Sequence, residues 1–164
     1  MFRIGMPLAL LAGAMTLAVL NLGNAQTPPS PEPPQAYRQS FGDLMTIAVQ
    51  PRHTKLGLAG QERNWTYATY ELRELQGAFE RIGRAVPTYK SMNTADLINA
   101  ITKAPMEDVA AAIRRGDAAK FAEAYAQLTA TCNACHQSTD HAAVVVQVPK
   151  ASSYPDQDFR PPRP

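Results

Sequence analysis

From Tyr37 to Cys135 the apolar residues of this chain recur every three or four positions, and that spacing leaves little choice of architecture. Tyr37, Phe41, Leu44, Met45, Ala48 and Val49 form the first such face and predict a helix over 37–49. Pro51 removes a backbone donor and crowds the carbonyl of Ile47, so the helix is expected to bend or stop there. Residues His53 to Leu58 can continue past the kink, with Gly57 and Gly60 placing a stop near 60. A second helix is expected over Arg63 to Ala85, its stripe Leu72, Leu75, Phe79, Ile82 and Val86. Glu71, Arg73, Glu74, Glu80, Arg81 and Arg84 take its other faces, and Pro87 follows its end. Thr94 can cap a third segment striped by Leu97, Ile98 and Ile101. Pro105 is expected to interrupt it and open a new helix, Met106 to Arg115, with Val109 and Ile113 inward and Gly116 as its stop. Asp117 then caps a last helix striped by Phe121, Tyr125, Leu128, Cys132 and Cys135. With no alternating strand pattern between them, these helices predict an all-α domain over residues 36–141, an antiparallel four-helix bundle without a sheet.

The 14 prolines do not contradict this. Five lie in residues 26–35, which read as an extended linker, and five between Pro149 and Pro164. Ahead of the linker, residues 1–25 place Arg3 before an uncharged apolar stretch, Ile4 to Leu22, and then small residues at Gly23 and Ala25. That is the layout of a secretory signal peptide, and it predicts a periplasmic location; the alternative is an uncleaved membrane anchor. Arg3 would leave with the signal and no acid would, so the formal net charge of +2 falls by one, to +1. So weak a field disfavours nucleic acid as a partner. Beyond the helices, residues 142–164 read as an extended Val/Pro-rich tail. Val144, Val145, Val146 and Val148 are expected to lie along the surface and shield something apolar, or else to form an exposed edge, while Ala151 to Pro164 reads as a second spacer.

The chemistry is concentrated at Cys132-Asn133-Ala134-Cys135-His136. C-x-x-C-H is the attachment signature of c-type haem. Residues three apart on a helix share a face, so two thiols so placed can add to the two vinyl groups of one haem, while the adjacent imidazole reaches the iron. The motif predicts one covalent haem c, with Cys132 and Cys135 as thioethers and His136 as the proximal iron ligand. A thioredoxin-type pair would prefer a helix N-terminus to lower its thiol pKa, and here the pair comes late, where the dipole raises it. A zinc site would need a fourth ligand; His141 could serve only in an unusual geometry. A disulfide between i and i+3 on a helix is strained.

Leu128-Thr129-Ala130-Thr131 leading into this motif near the end of a final helix resembles the cytochrome c′ and c-556 group, periplasmic four-helix cytochromes with a C-terminal haem motif. Tyr37-Arg38-Gln39-Ser40 is similar to the start of their first helix. The resemblance covers about residues 36–139, and it implies the same roles for Cys132, Cys135 and His136. Arg52-His53-x-Lys55-Leu56, Asn64-Trp65 and Asp156-Gln157-Asp158-Phe159 look like a branch of such cytochromes. Two features depart from the group. An arginine or lysine usually follows the histidine closely, whereas Gln137-Ser138-Thr139-Asp140 has none, and the valine tail is extra.

The ligand opposite His136 decides the function: a methionine raises the potential, a second histidine lowers it, and an empty position admits a gas. His141 would stay on the proximal side of a continued helix. In an up-down-up-down bundle the start of the first helix lies beside the end of the fourth, which favours Met45 or an apolar open pocket. His53 is eight residues further, roughly 12 Å along a straight helix, and reaches the iron only if Pro51 bends the chain sharply. Otherwise Met45 is a core gap-filler, His53 a surface residue or, with Arg52, Lys55 and Arg38, a partner of haem propionates, and Trp65 a packing residue. The leading expectation is one-electron transfer with redox partner proteins, and the alternative is a five-coordinate module for a diatomic gas such as nitric oxide. A homodimer is compatible with either. A peroxidase would need distal acid–base groups that only His53 could supply, so no enzyme activity is expected.

Overall fold

The computed structural model describes residues 37–163. The signal peptide and linker expected over residues 1–35 lie outside them. The chain enters its first helix, α1 (Phe41–Leu44), through a capping box: the Ser40 hydroxyl accepts from the Asp43 N–H, and the Asp43 carboxylate accepts from the Ser40 N–H. Tyr37 is therefore outside the helix and 79% exposed, donating to Asp43 at 2.6 Å rather than joining the apolar face. A π-helical turn over Met45–Val49 leads directly into α2 (Gln50–Gln61). Pro51 neither stops the helix nor breaks it. The wider turn lets the Gln50 N–H reach the Met45 carbonyl five residues back, and Pro51 sits in the first turn of α2, where its missing donor is not needed.

Helix α3 (Trp65–Ala85) is capped by Asn64, which accepts from the Tyr67 N–H. Leu72, Leu75, Phe79 and Ile82 are buried as their spacing predicts, but so is Glu71, expected on an outer face. Burial raises its pKa, opposed by Lys55 and Arg52 nearby. After Pro87 the chain forms a small hairpin, β1 (Thr88–Tyr89) with β2 (Met92–Asn93), paired antiparallel. A helical protein without any sheet was the expectation. The two-residue ladder escapes notice because its turn, Lys90-Ser91, takes positive φ at both positions (45° and 66°) without the usual Asn or Gly.

Asn93 caps α4 (Thr94–Arg115) by accepting from the Asp96 N–H; Thr94, expected in that role, is buried instead as the first residue, and its N–H goes to the Pro87 carbonyl. Pro105 does not divide this helix. Ile98 before it and Met106, Val109 and Ile113 after it are all buried, and that common packing outweighs the lost hydrogen bond. Gly116 ends α4 at φ 64°, and Asp117 caps α5 (Ala118–Ser138), both as predicted. The described residues are thus predominantly helical. Helix α2 packs on α3, α3 on α4, α4 on α5 and α5 on α2. Among them no helix is long and apolar enough to cross a membrane.

Residues 139–163 fold back over the helices as a strap. Residues 151–163 are not a spacer, because their aromatic side chains have apolar area to bury. Phe159 is buried and stacks on Tyr67 at 5.4 Å, Lys55 lies 4.7 Å above the Tyr154 ring, and the Asn64 amide donates to the Arg160 carbonyl.

Candidate functional site

The register between α2 and α5 fixes the level of every candidate ligand. His53 faces Thr129 and Tyr125; a methyl group on Gly57 would lie 2.6 Å from Tyr125, and one on Gly60 would overlap Phe121. As α2 advances α5 retreats, so the two run antiparallel. Gly57 and Gly60 therefore do more than mark a stop. They let two aromatic side chains lie directly against the α2 backbone, and the helix ends one residue later, at Gln61.

His53 is 4% exposed and is the hub of this interface, not a surface residue. Its Nδ1 lies 3.0 Å from the Tyr125 hydroxyl and its Nε2 3.0 Å from the Thr129 hydroxyl. The Tyr125 hydroxyl also lies 2.7 Å from the His53 carbonyl and the Thr129 hydroxyl 2.9 Å from the Tyr125 carbonyl; each hydroxyl has one proton, so a neutral His53 donates to one of them and accepts from the other. Burial pushes the His53 pKa down to about 4, so the imidazole is neutral at pH 7. Both ring nitrogens are engaged inside the protein.

Met45 is placed on the π-helical turn, half-buried and packed against the core. It precedes His53 by eight residues; the position eight residues after Thr129 is Gln137, next to His136. The same level is reached by a second route. Phe41 stacks on Tyr89 of the hairpin at 4.3 Å, and the Tyr89 hydroxyl lies 3.5 Å from His141 Nε2. Lys90 of the hairpin turn donates to the Thr139 carbonyl at 2.7 Å and to Asp140 at 2.6 Å. The hairpin thus brings a lysine to the end of α5, where residues 137–140 supply no lysine or arginine. Nothing in the sequence links Lys90 to Asp140, 50 positions away.

Cys132 and Cys135 are free thiols one helical turn apart near the C-terminus of α5, both half-buried. Burial, then the neighbouring Cys135, pushes the Cys132 pKa up to about 11, and burial raises Cys135 as well. The direction is the one expected from the position late in a helix, but the principal cause is desolvation. Both groups are thiols, not thiolates, at neutral pH, which is the opposite of an activated thiol–disulfide pair. Among the described residues no three or more His, Cys, Asp and Glu side chains converge as a metal cage.

His136 is half-buried, and its Nδ1 lies 2.6 Å from the Val144 carbonyl oxygen. A carbonyl only accepts, so Nδ1 carries a proton, and in the neutral ring Nε2 then keeps its lone pair. The strap that supplies this carbonyl is clipped to α5 by Asn133, whose amide donates to the Val146 carbonyl at 2.9 Å and accepts from the Val146 N–H at 2.8 Å. The valines thus dock through their backbone. Val144 and Val145 keep side chains 54% and 65% exposed, so the shielding expected of them is not provided by those side chains. Trp65 packs, as expected, tilted on Phe121 at 5.8 Å. No protein-family model, curated protein or solved structure matches this chain.

Proposed function

We propose that the chain is an exported, periplasmic c-type cytochrome. Its helices α2 to α5 form an antiparallel four-helix bundle, and one haem c is held by thioethers at Cys132 and Cys135 with His136 as proximal ligand. One observation carries the reading. The C-x-x-C-H motif lies on one helix with two free, un-ionised thiols a turn apart and an imidazole whose Nε2 is left with its lone pair. Those donors fit a haem: two thiols for its two vinyl groups and a single imidazole for the iron. They do not fit a zinc cage, which needs four converging ligands.

When bound, the haem would supply one-electron chemistry at its iron. The protein's part would be to hold that group through Cys132, Cys135 and His136. His53 is a poor sixth ligand, because both nitrogens are committed to Tyr125 and Thr129 within the α2–α5 interface. Met45 stands at the level of His136 by register, with no hydrogen bond to give up, and supports a methionine-ligated electron carrier. If Met45 does not bond the iron, the same commitment of His53 leaves an open position, and a diatomic gas becomes the ligand. Redox partner proteins would dock through a surface of low net charge, with weak steering.

The test is intact mass after expression of the full chain with haem-attachment machinery. One haem per chain is expected, resistant to acid–acetone, and lost in Cys132→Ala with Cys135→Ala. A mass equal to the bare polypeptide would overturn the proposal. In the loaded protein, methionine ligation gives a weak band at the red end of the ferric spectrum, and Met45→Ala should abolish it. A vacant site instead gives a high-spin ferrous spectrum that shifts with carbon monoxide. A low-spin spectrum altered by His53→Ala alone would show that the first helix runs further past the haem than its register with α5 indicates.

A further inference from the structure

We propose that the C-terminal strap is the orienting partner of His136, fixing its Nδ1–H tautomer through the Val144 carbonyl, with Asn133 as the positioning residue that holds the strap in place. The consequence for the iron rests on the haem reading; the tautomer does not.

The strap leaves the end of α5 through a tight reversal at Asp140, φ 63°. Two backbone hydrogen bonds then pin the return: the His141 N–H to the His136 carbonyl at 2.7 Å, and the Val144 N–H to the His141 carbonyl at 2.8 Å. This turn aims the Val144 carbonyl back at the His136 ring, eight residues earlier, at 2.6 Å. Two residues on, the paired hydrogen bonds of Asn133 hold the Val146 backbone as a neighbouring strand would. Further along, the Gln61 amide donates to the Pro149 carbonyl. The strap is therefore held on both sides of Val144, and the ring it faces has one permitted neutral tautomer.

Two things follow for a metal-bound imidazole. A hydrogen bond from Nδ1–H to a carbonyl fixes the ring plane and makes Nε2 a stronger donor, which favours the ferric over the ferrous state. Asn133 occupies a position between the two cysteines that thioether attachment does not specify chemically. Its two strap bonds give that position a role.

The experiment compares the haem-loaded full chain with Asn133→Ala and with a chain ending at Ala142, which lacks the Val144 carbonyl. Nuclear magnetic resonance of the ferrous form, saturated with carbon monoxide if the iron is high-spin so that it is diamagnetic, reads the exchange of the His136 Nδ1 proton, and a redox titration reads the potential. In the wild type the Nδ1 proton should exchange slowly. In Asn133→Ala it should exchange at least tenfold faster, and in the shortened chain it should be as fast as in free imidazole. The potential should rise in both, by up to about tenfold in the one-electron equilibrium, or about 59 mV. If proton exchange and potential are the same in all three proteins, the strap does not orient His136 and the proposal is overturned, while haem attachment stands. If the chain carries no haem, the haem reading has failed. The ring-nitrogen shifts of His136 in the unmodified full chain then decide the tautomer, a protonated Nδ1 lost in the shortened chain supporting the strap and an Nε2–H ring overturning it.

Discussion

The two ends of α5 are held in different ways. Along its first half, Phe121, Tyr125, Leu128 and Thr129 are all buried, and α2 comes close enough that two of its residues must be glycine. Its last turns carry the half-buried Cys132, Cys135 and His136, and they are fastened by hydrogen bonds from outside the helix: Asn133 to the strap, the Val144 carbonyl to His136, and Lys90 to Thr139 and Asp140. The packed half sets where the helices lie. The clipped half leaves reactive side chains accessible and determines how they are oriented. Close packing resists change in volume, whereas a clip resists only rotation and fraying, so the two halves should respond differently to substitution.

The largest effect is expected at Gly60. A valine there must displace Phe121, and overpacking of this kind costs about 3 kcal/mol. Ala130→Val, on the exposed side of α5, should cost under about 1 kcal/mol, mostly helix propensity. Urea denaturation of the two variants measures the difference directly; equal midpoints would mean that α2 and α5 are not in close contact.

Next is the pH dependence of the packed half. The folded pKa of His53 is pushed down to about 4 from an ordinary 6.5, so the unfolded chain binds the extra proton between those values. Its contribution is fully present above pH 6.5 and is lost as pH falls to about 4, a loss of at most about 3 kcal/mol. Glu71, raised by burial, acts with the opposite sign, so the measurement is the difference between the wild type and His53→Gln. That difference should shrink as the pH is lowered through this window. A constant difference would place His53 in water.

Asn133→Ala should cost under about 1 kcal/mol of global stability, because its bonds lie at a half-exposed surface. Residues 144–148 should nevertheless lose their protection from hydrogen exchange. Lys90→Ala should be the mildest, since exposed ion pairs contribute little; its mark would be faster exchange confined to the hairpin and residues 139–141.

Much of this was readable from residue order. Leu72, Leu75, Phe79 and Ile82 of α3 and Phe121, Tyr125 and Leu128 of α5 are buried where their spacing puts them, Gly116 and Asp117 end one helix and begin the next, and C-x-x-C-H marks the proposed site without any fold. The misreadings share a cause. Pro51 was expected to bend or stop its helix and Pro105 to interrupt one, both by a local rule, but a π-helical turn carries the chain past the first and packing on both sides of the second holds α4 together. Glu71, His53 and Phe159 looked like residues for the surface or a spacer, and each is buried against elements distant in sequence.

The sequence by itself determined the helical class and the identity of the reactive groups, because both depend on short-range information: a period of three to four, a cap, two thiols a turn apart beside an imidazole. Only the tertiary structure decided which groups meet. It places His53 against Tyr125 and Thr129 across more than 70 residues, Lys90 against the end of α5 across 50, and the Val144 carbonyl against His136 through a reversal of the chain. Such contacts form because folding must satisfy buried and half-buried polar groups with whatever partner the packing brings near, and residue spacing carries no record of that partner.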